Sequence, residues 1–219
     1  MPRDRNSSLT VVKLGGSLVH TSQCAGWLDV LVAADKPLIL VPGGGPFADC
    51  VRMAQCEMGF SDAIAHRMAL IAMGQFGIAL ASHSDAFTLA VCPREIDSAL
   101  SAGRIPVWMP ERMVLDTPDV PASWDLTSDS LAAWLTGIYG ARRLLLIKSQ
   151  DLAAPASVFD LVANKIIDPV FPHFAAQSRA EIWLAGPASL AGAVAILKRG
   201  GMPGSKVKVA RAGSASKQV

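Results

Sequence analysis

Two glycine-rich stretches and one lysine stand out in the 219-residue chain as groups able to handle anions. The first is TVVKLGGSLVH, Thr10 to His20, where Lys13 precedes Gly15, Gly16 and Ser17 at the end of an apolar run. The second is LVPGGGPFAD, Leu40 to Asp49, with Gly43, Gly44 and Gly45. Glycine admits positive φ and lets backbone N–H groups approach an anion closely. A helix that follows adds partial positive charge at its first turn. Two such turns can cradle two phosphates from opposite sides. Lys13, near a strand end, can reach the crevice floor and neutralise a transferring phosphoryl group as a compact point charge. Phosphoryl transfer asks mainly for positioning and charge stabilisation. Neither turn is a GxxxxGK[ST] loop or a GxGxxG fingerprint, so neither a P-loop nor a dinucleotide fold is supported.

A third stretch is WDLTSDSLAAWL, Trp124 to Leu135. Asp129 falls in the first turn of a helix, where the dipole stabilises a carboxylate. Two readings stay open: a capping motif, or a carboxylate that orients lysines or a metal ion at the phosphates.

These residues need elements to hold them. Strands are expected at Leu9–Leu14, Pro37–Val41, Phe87–Cys92, Arg143–Lys148, Glu181–Ala185 and Lys206–Ala210. Helices are expected at Cys24–Ala34, Pro46–Met58, Asp62–Ser82, Pro93–Ala102, Asp129–Tyr139 and Pro187–Arg199. In the long helix Ile64, Met68, Ile71 and Gln75 recur at helical spacing. Thr127 or Ser128 caps the helix that carries Asp129. Ser157–Ala176 is weakly helical, interrupted by Pro169 and Pro172. Ile105–Leu115, broken by Pro106 and Pro110, reads as two short edge strands around a turn. Such alternation implies a mostly parallel sheet covered on both faces, with ligand loops at the carboxyl ends of its strands. One domain is expected over 1–219, with a flexible N-terminus (1–8) and tail (211–219).

Composition narrows the function classes. Half the residues are apolar (51%) and the net charge is only +2, against a nucleic-acid or membrane-surface partner. Cys24, Cys50, Cys56 and Cys92 form no CxxC pair. They read as buried small hydrophobes in a reducing cytosol, with neither disulfides nor a protein-held metal. MPRDRNSS has no apolar signal core. The most apolar run, MALIAMGQFGIALASHSDAF, is broken by glycines and polar residues and reads as a buried helix. A cytoplasmic protein is expected.

Taken in order, VVKLGGS, VPGGGPFAD, TSDSLAA followed by LLLIK, and the closing GMPGSKVKV resemble the amino acid kinase family. That family includes acetylglutamate, aspartate, uridylate and isopentenyl phosphate kinases. The resemblance implies a three-layer αβα sandwich around a mostly parallel, roughly eight-stranded sheet, as in carbamate kinase. It implies ATP and Mg2+, transfer of the γ-phosphoryl to a carboxylate, carbamate or phosphate, and homo-oligomeric assembly. The stretch FSDAIAHRMALIAMGQFG, with Ser61, His66 and Met68, is similar to the small kinases of methanofuran biosynthesis. Those convert (5-(aminomethyl)furan-3-yl)methyl phosphate to its diphosphate, and WDLTSDS fits them too. By this resemblance Lys13 stabilises the transferring phosphoryl and Asp129 organises the lysines and ligands around it. Gly15, Gly16 and Ser17 cradle the ATP phosphates, and Gly43, Gly44 and Gly45 hold the acceptor phosphate. His66 faces the acceptor or is a core or surface histidine.

Two segments depart from the family pattern. After the LLLIK strand comes Lys148-Ser149-Gln150-Asp151-Leu152, where a TDVDG-like turn is usual. The GGMxxKL-like segment that usually carries a second catalytic lysine is matched only by NKIIDPVFPHFAAQ, which offers Lys165, Asp168 and His173. Lys148 could supply the missing charge at the nucleotide. The alternatives are a non-catalytic nucleotide- or metabolite-binding subunit, or a kinase of another acceptor such as uridylate, isopentenyl phosphate or an acyl group.

Overall fold

Strand β1, Thr10–Leu14, is buried along its whole length and pairs in parallel with β2, Leu38–Pro42, on one side and β5, Arg143–Ile147, on the other. The sheet extends through β4 (Ile105–Trp108) to β3 (Phe87–Ala90), and through β6 (Glu181–Ala185) to β7 (Ser205–Lys206). The order is β3-β4-β2-β1-β5-β6-β7, seven strands, parallel but for the antiparallel β6–β7 pair. The computed structural model describes residues 8–115, 117–152 and 156–209. The flexible ends expected over 1–8 and 211–219 lie outside these, Ser8 excepted.

Alternation along the three central strands sorts side chains into two cores. Val11, Ile39, Val41, Leu144 and Leu146 pack with Leu131, Leu135, Phe171 and Phe174. Those four come from α6 (Ser128–Ile138) and α8 (Phe171–Ser178). Val12, Leu14, Leu40, Leu145 and Ile147 point the other way, against Trp27, Leu31, Ala193 and Leu197 of α1 (Gln23–Ala34) and α9 (Ala193–Lys198). Lys13 sits beside Val41 and Leu146 in register, so it shares the α6 face. The expected three-layer αβα sandwich is present.

The glycine turns feed a short 3-10 helix, Gly16–His20, and helix α2, Gly45–Met58. Pro46 occupies the first turn of α2 and Gly59 closes it at φ 71°. Helix α3, Asp62–Ala81, packs on α2. By length and composition it could cross a membrane, but half of its most apolar window is buried inside the protein. Its exposed side carries Ile64, Met68, Ile71 and Ile78. The buried side is Ala65, His66, Leu70, Met73, Gly74, Phe76 and Gly77. The spacing of Ile64, Met68 and Ile71 therefore marks a helix but not its core face; small residues let α3 approach its neighbours.

Ile105–Leu115 is not a pair of edge strands. Ile105–Trp108 is the interior strand β4, and Glu111–Leu115 is a short helix, α5. Ile105 N and Met109 N donate toward β3, to Ala86 O (2.8 Å) and Ala90 O (2.8 Å). Pro106, between them, turns its missing donor to the β2 side, where only Leu40 and Val107 are in register. The weakly helical stretch splits into α7, Val158–Ala163, and α8, with Ser157 and Asp160 forming a capping box on α7. The expected Pro187–Arg199 helix begins as a 3-10 turn, Pro187–Ser189, and re-forms as α9 after Gly192 at φ 81°. Helix α4, Pro93–Ser101, matches its expected bounds to one residue. The closing strand is two residues of β7, and Ala210 lies outside the described residues. All four cysteines are free, but Cys50 and Cys56 are exposed on α2 rather than buried. Its buried stripe is narrow, Ala48 and Val51.

Candidate active site

The two glycine turns meet backbone to backbone. Gly15 N donates to Ile147 O and Gly43 N to Leu14 O, both at 2.9 Å, so these two amides extend the sheet ladder past the strand ends. The amides of Gly16, Gly44 and Gly45 make no backbone hydrogen bond among the described residues. A methyl group on Gly16 would stand 2.3 Å from Gly45 N, and one on Gly43 would stand 2.3 Å from Gly16 N. No side chain fits between the turns. Gly16→Ala is expected to wedge them apart, costing about 1–3 kcal/mol of stability, read as a lower midpoint in urea unfolding.

Gly16, Ser17, Gly44 and Gly45 line a cavity of about 290 Å3. Leu70, Met73 and Leu131 supply apolar walls, and Thr127 and Ser128 bring in the start of α6. His66 also lines it and is 7% exposed. Burial pushes its pKa down, which favours the neutral ring over the cation at pH 7. The first turns of α2 and α6 both contribute to this cavity, and each favours a negative ligand. Asp49, Arg52 and Trp124 line it as well. Arg52 Nη1 donates to Asp49 Oδ1 at 2.8 Å, and its guanidinium lies 4.4 Å from the centre of the Trp124 ring. Trp124 is fixed in turn by its indole N–H, which donates to Gln55 Oε1 at 2.6 Å.

Three charges are joined. Lys13 Nζ lies 2.9 Å from Asp129 Oδ1, and Lys148 Nζ lies 2.5 Å from Oδ2. Lys148 follows β5 two residues after Leu146, the register partner of Lys13. Strand alternation therefore turns both lysines to the α6 face, where Asp129 waits. Lys148 also donates to Ile166 O at 2.7 Å. Burial pushes the Asp129 carboxyl up, but the ammonium groups of Lys13 and Lys148 outweigh it and hold the pKa at about 2. For Lys148 burial dominates and lowers the pKa to about 8; Asp129 opposes the shift and Lys13 adds to it.

Asp168 holds α6 in place. Its Oδ2 accepts from Thr127 N (3.1 Å), Thr127 Oγ1 (2.7 Å) and Ser130 N (3.0 Å). Its Oδ1 accepts from Ser130 Oγ and, at 2.9 Å, from Phe171 N. Thr127 is the N-cap of α6, receiving Asp129 N at 3.4 Å. Asp129 is thus carried on a first turn clamped from outside the helix. Burial, then the nearby charge of Asp129, raises the Asp168 pKa, against the hydrogen bonds from Ser130 and Thr127.

Of the residues singled out in the sequence, Lys13, Asp129 and Lys148 come together. Gly16, Ser17, Gly44, Gly45 and His66 share the cavity, while Gly15 and Gly43 have spent their amides in the ladder. Ser17 Oγ lies 3.0 Å from Ser149 Oγ, linking the first glycine turn to the KSQDL loop. Asp151, farther along that loop, accepts from Ala188 N at 3.1 Å. Lys165 is exposed in a turn at φ 55°. His173 is exposed too, beside Gln177 in a separate groove. Neither joins the buried charges. Sequence reasoning missed Asp49, Arg52 and Trp124. The i,i+3 pair on the helix after the glycines was a usable signal; the approach of Trp124 is tertiary and was not.

Comparison with known proteins agrees with this fold. A model of the amino acid kinase family matches residues 8–152, ending in the KSQDL loop. A (5-(aminomethyl)furan-3-yl)methyl phosphate kinase of Methanocaldococcus jannaschii is 27% identical over 146 residues, covering 64% of this chain and 66% of that relative. Among solved structures, uridylate kinase from Archaeoglobus fulgidus superposes with a TM-score of 0.68 at 15% identity. That match covers 92% of this chain and 100% of the other. Carbamate kinase from Giardia lamblia bound to AMP-PNP gives 0.58 at 11% identity, over 93% and 99% of the two chains. The match extends over more than half of the sequence, and the chain belongs to the amino acid kinase family.

Proposed function

We propose that this protein transfers the γ-phosphoryl of ATP to (5-(aminomethyl)furan-3-yl)methyl phosphate, giving ADP and the diphosphate. The observation that carries a phosphoryl-transfer site is the buried Lys13–Asp129–Lys148 bridge, whose Lys13 lies two residues before the first glycine turn and whose Asp129 follows the cavity-lining Ser128. The acceptor is inferred from the Methanocaldococcus jannaschii relative.

In the step itself an acceptor phosphate oxygen bonds to the γ-phosphorus. The bond from that phosphorus to the β–γ bridging oxygen breaks, and its electron pair leaves with ADP. A phosphate monoester has a second pKa of about 6, so the nucleophile is already ionised at neutral pH and needs no general base. Asp129 suits that requirement: held ionised between two lysines, it positions them and takes no proton. Gly44 and Gly45, at the start of α2, are placed to hold the acceptor phosphate. In this reading Gly16 and Ser17 hold the donor, and Lys13 serves the equatorial oxygens. Lys148 adds positive charge on the β5 side. The Gly16, Gly44 and Gly45 amides, without backbone partners among the described residues and lining the cavity, fit a polyphosphate. Among the described residues no three metal-ligating side chains cluster, and Asp129 is committed to lysines. Mg2+ would therefore be held by phosphate oxygens and water and would supply charge neutralisation at the phosphates. The apolar row of Ile64, Met68, Ile71 and Ile78 on the exposed side of α3 supports the expected homo-oligomer.

The test is direct. Purified protein with ATP, Mg2+ and the aminomethylfuran phosphate should yield ADP and a diphosphate, seen by phosphorus NMR. Uridylate, isopentenyl phosphate and acyl acceptors in the same assay separate the alternatives. ATP binding without turnover of any acceptor would favour a non-catalytic subunit. A pH profile reports on Lys148: kcat should fall as pH rises through about 8, when the ammonium loses its proton. Lys148→Met should lower kcat and remove that limb of the profile.

A further inference from the structure

The cavity is lined by two electrically distinct groups of residues. One is made of the Gly16, Gly44 and Gly45 amides and the starts of α2 and α6, all favouring an anion. The other is made of Asp49, Arg52 and Trp124. Asp49 is four residues beyond Gly45 on α2, about 6 Å along the helix axis. Arg52 is held twice, by Asp49 Oδ1 and by the face of Trp124, and the indole is pinned through Gln55. Gln55 is itself anchored, its Nε2 donating to Asp62 Oδ1 at 2.8 Å. Asp49 has an oxygen to spare: Oδ2 makes no hydrogen bond among the described residues. Leu70, Met73 and Leu131 supply apolar walls, and burial favours the neutral ring of His66.

We propose that Asp49 is the specificity-determining residue of the acceptor site, binding a cationic amine at the end of the acceptor opposite its phosphate. Arg52, anchored on Trp124, fixes one carboxylate oxygen of Asp49 and leaves the other for the amine. The acceptor class is then a small, flat phosphate ester with a protonated amine about one helical turn from the phosphate. A phosphate ester lacking the amine leaves Asp49 without a partner and forfeits a charge-assisted hydrogen bond. An acceptor with a second anion in that place meets a like charge.

This inference rests on the reading of the cavity as the acceptor site of a kinase. The experiment compares two acceptors on the full chain: the aminomethylfuran phosphate, and the same compound with hydroxyl in place of the amine. Wild type should prefer the amine by about tenfold or more in kcat/KM. Asp49→Asn should abolish that preference, chiefly through KM for the amine, and Asp49→Glu should keep part of it. Calorimetry without nucleotide should show the same loss of amine affinity in Asp49→Asn. A preference unchanged in Asp49→Asn, or absent in wild type, overturns the role of Asp49 and leaves the kinase reading standing. No turnover of either acceptor by wild type overturns the kinase reading, and this inference with it.

Discussion

Lys13→Met should lower kcat by about a thousandfold while leaving the protein folded and no less stable. The two halves of that outcome come from one count of charges. Lys13, Asp129 and Lys148 are all nearly buried and together carry one excess positive charge. Removing Lys13 leaves a neutral Asp129–Lys148 pair, and methionine fills the space of the lysine stem. Breaking a buried pair is costly when it strands an uncompensated charge; here Asp129 keeps Lys148, so no charge is stranded. The excess charge is therefore useful only when phosphates arrive, and its loss should fall on the reaction alone. Steady-state kinetics beside urea unfolding checks both halves. A large loss of stability would mean that Lys13 serves the fold first.

Asp129→Asn should do the opposite to stability. It leaves two buried ammonium groups facing each other without a counter-charge, at a cost of about 3–5 kcal/mol. In a protein of this size that is a fall in melting temperature of roughly 10 °C. Activity should collapse as well, because nothing then sets the spacing of the lysines. The sign of the pH dependence identifies the cause. In wild type the Asp129 pKa drops from 3.8 to about 2 on folding. Its contribution is present above about pH 4 and is lost as pH falls toward 2; Asp129→Asn should lack that acid limb. Lys148 runs the other way, with a folded pKa of about 8 against an ordinary 10.5. The unfolded chain binds more protons between those values, so stability rises with pH across that window. Without Asp129 the folded pKa falls further and the window widens. The deficit of Asp129→Asn should therefore shrink at alkaline pH. Melting curves at pH 6, 8 and 9.5 decide it.

Most of the frame was legible because the strands are short, apolar and punctuated by glycine and proline. TVVKL, LILVP and EIWLA carry their own boundaries. Asp129 was legible as a residue but not as a choice between cap and organiser. Only the approach of two strand ends separates those readings, and the register of β1 with β5 supplies it. Lys148 was within reach for the same reason, being two residues from the register partner of Lys13. IPVWMPERM misled because its two prolines argue for an edge, whereas Pro106 can lie in an interior strand whose β2 side is barely laddered. The exposed row on α3 shows that periodicity reports a helix whichever face is buried. Trp124 and Asp168 gained their roles from contacts across 69 and 38 residues of chain, which no local pattern encodes.

The contact between Gly16 and the Gly43–Gly45 turn bears on how such a protein can change over evolutionary time. Each turn occupies the space that a first side-chain carbon on the other would need. Neither can acquire a side chain by a single substitution, and the pair could be remodelled only by coordinated change. Selection for a new acceptor is thereby steered away from the phosphate cradle and toward positions that tolerate replacement. Asp49 and Arg52, both exposed on α2, are such positions. On the proposed reading, the glycine turns would change only together, while acceptor choice could shift one helical turn away from them.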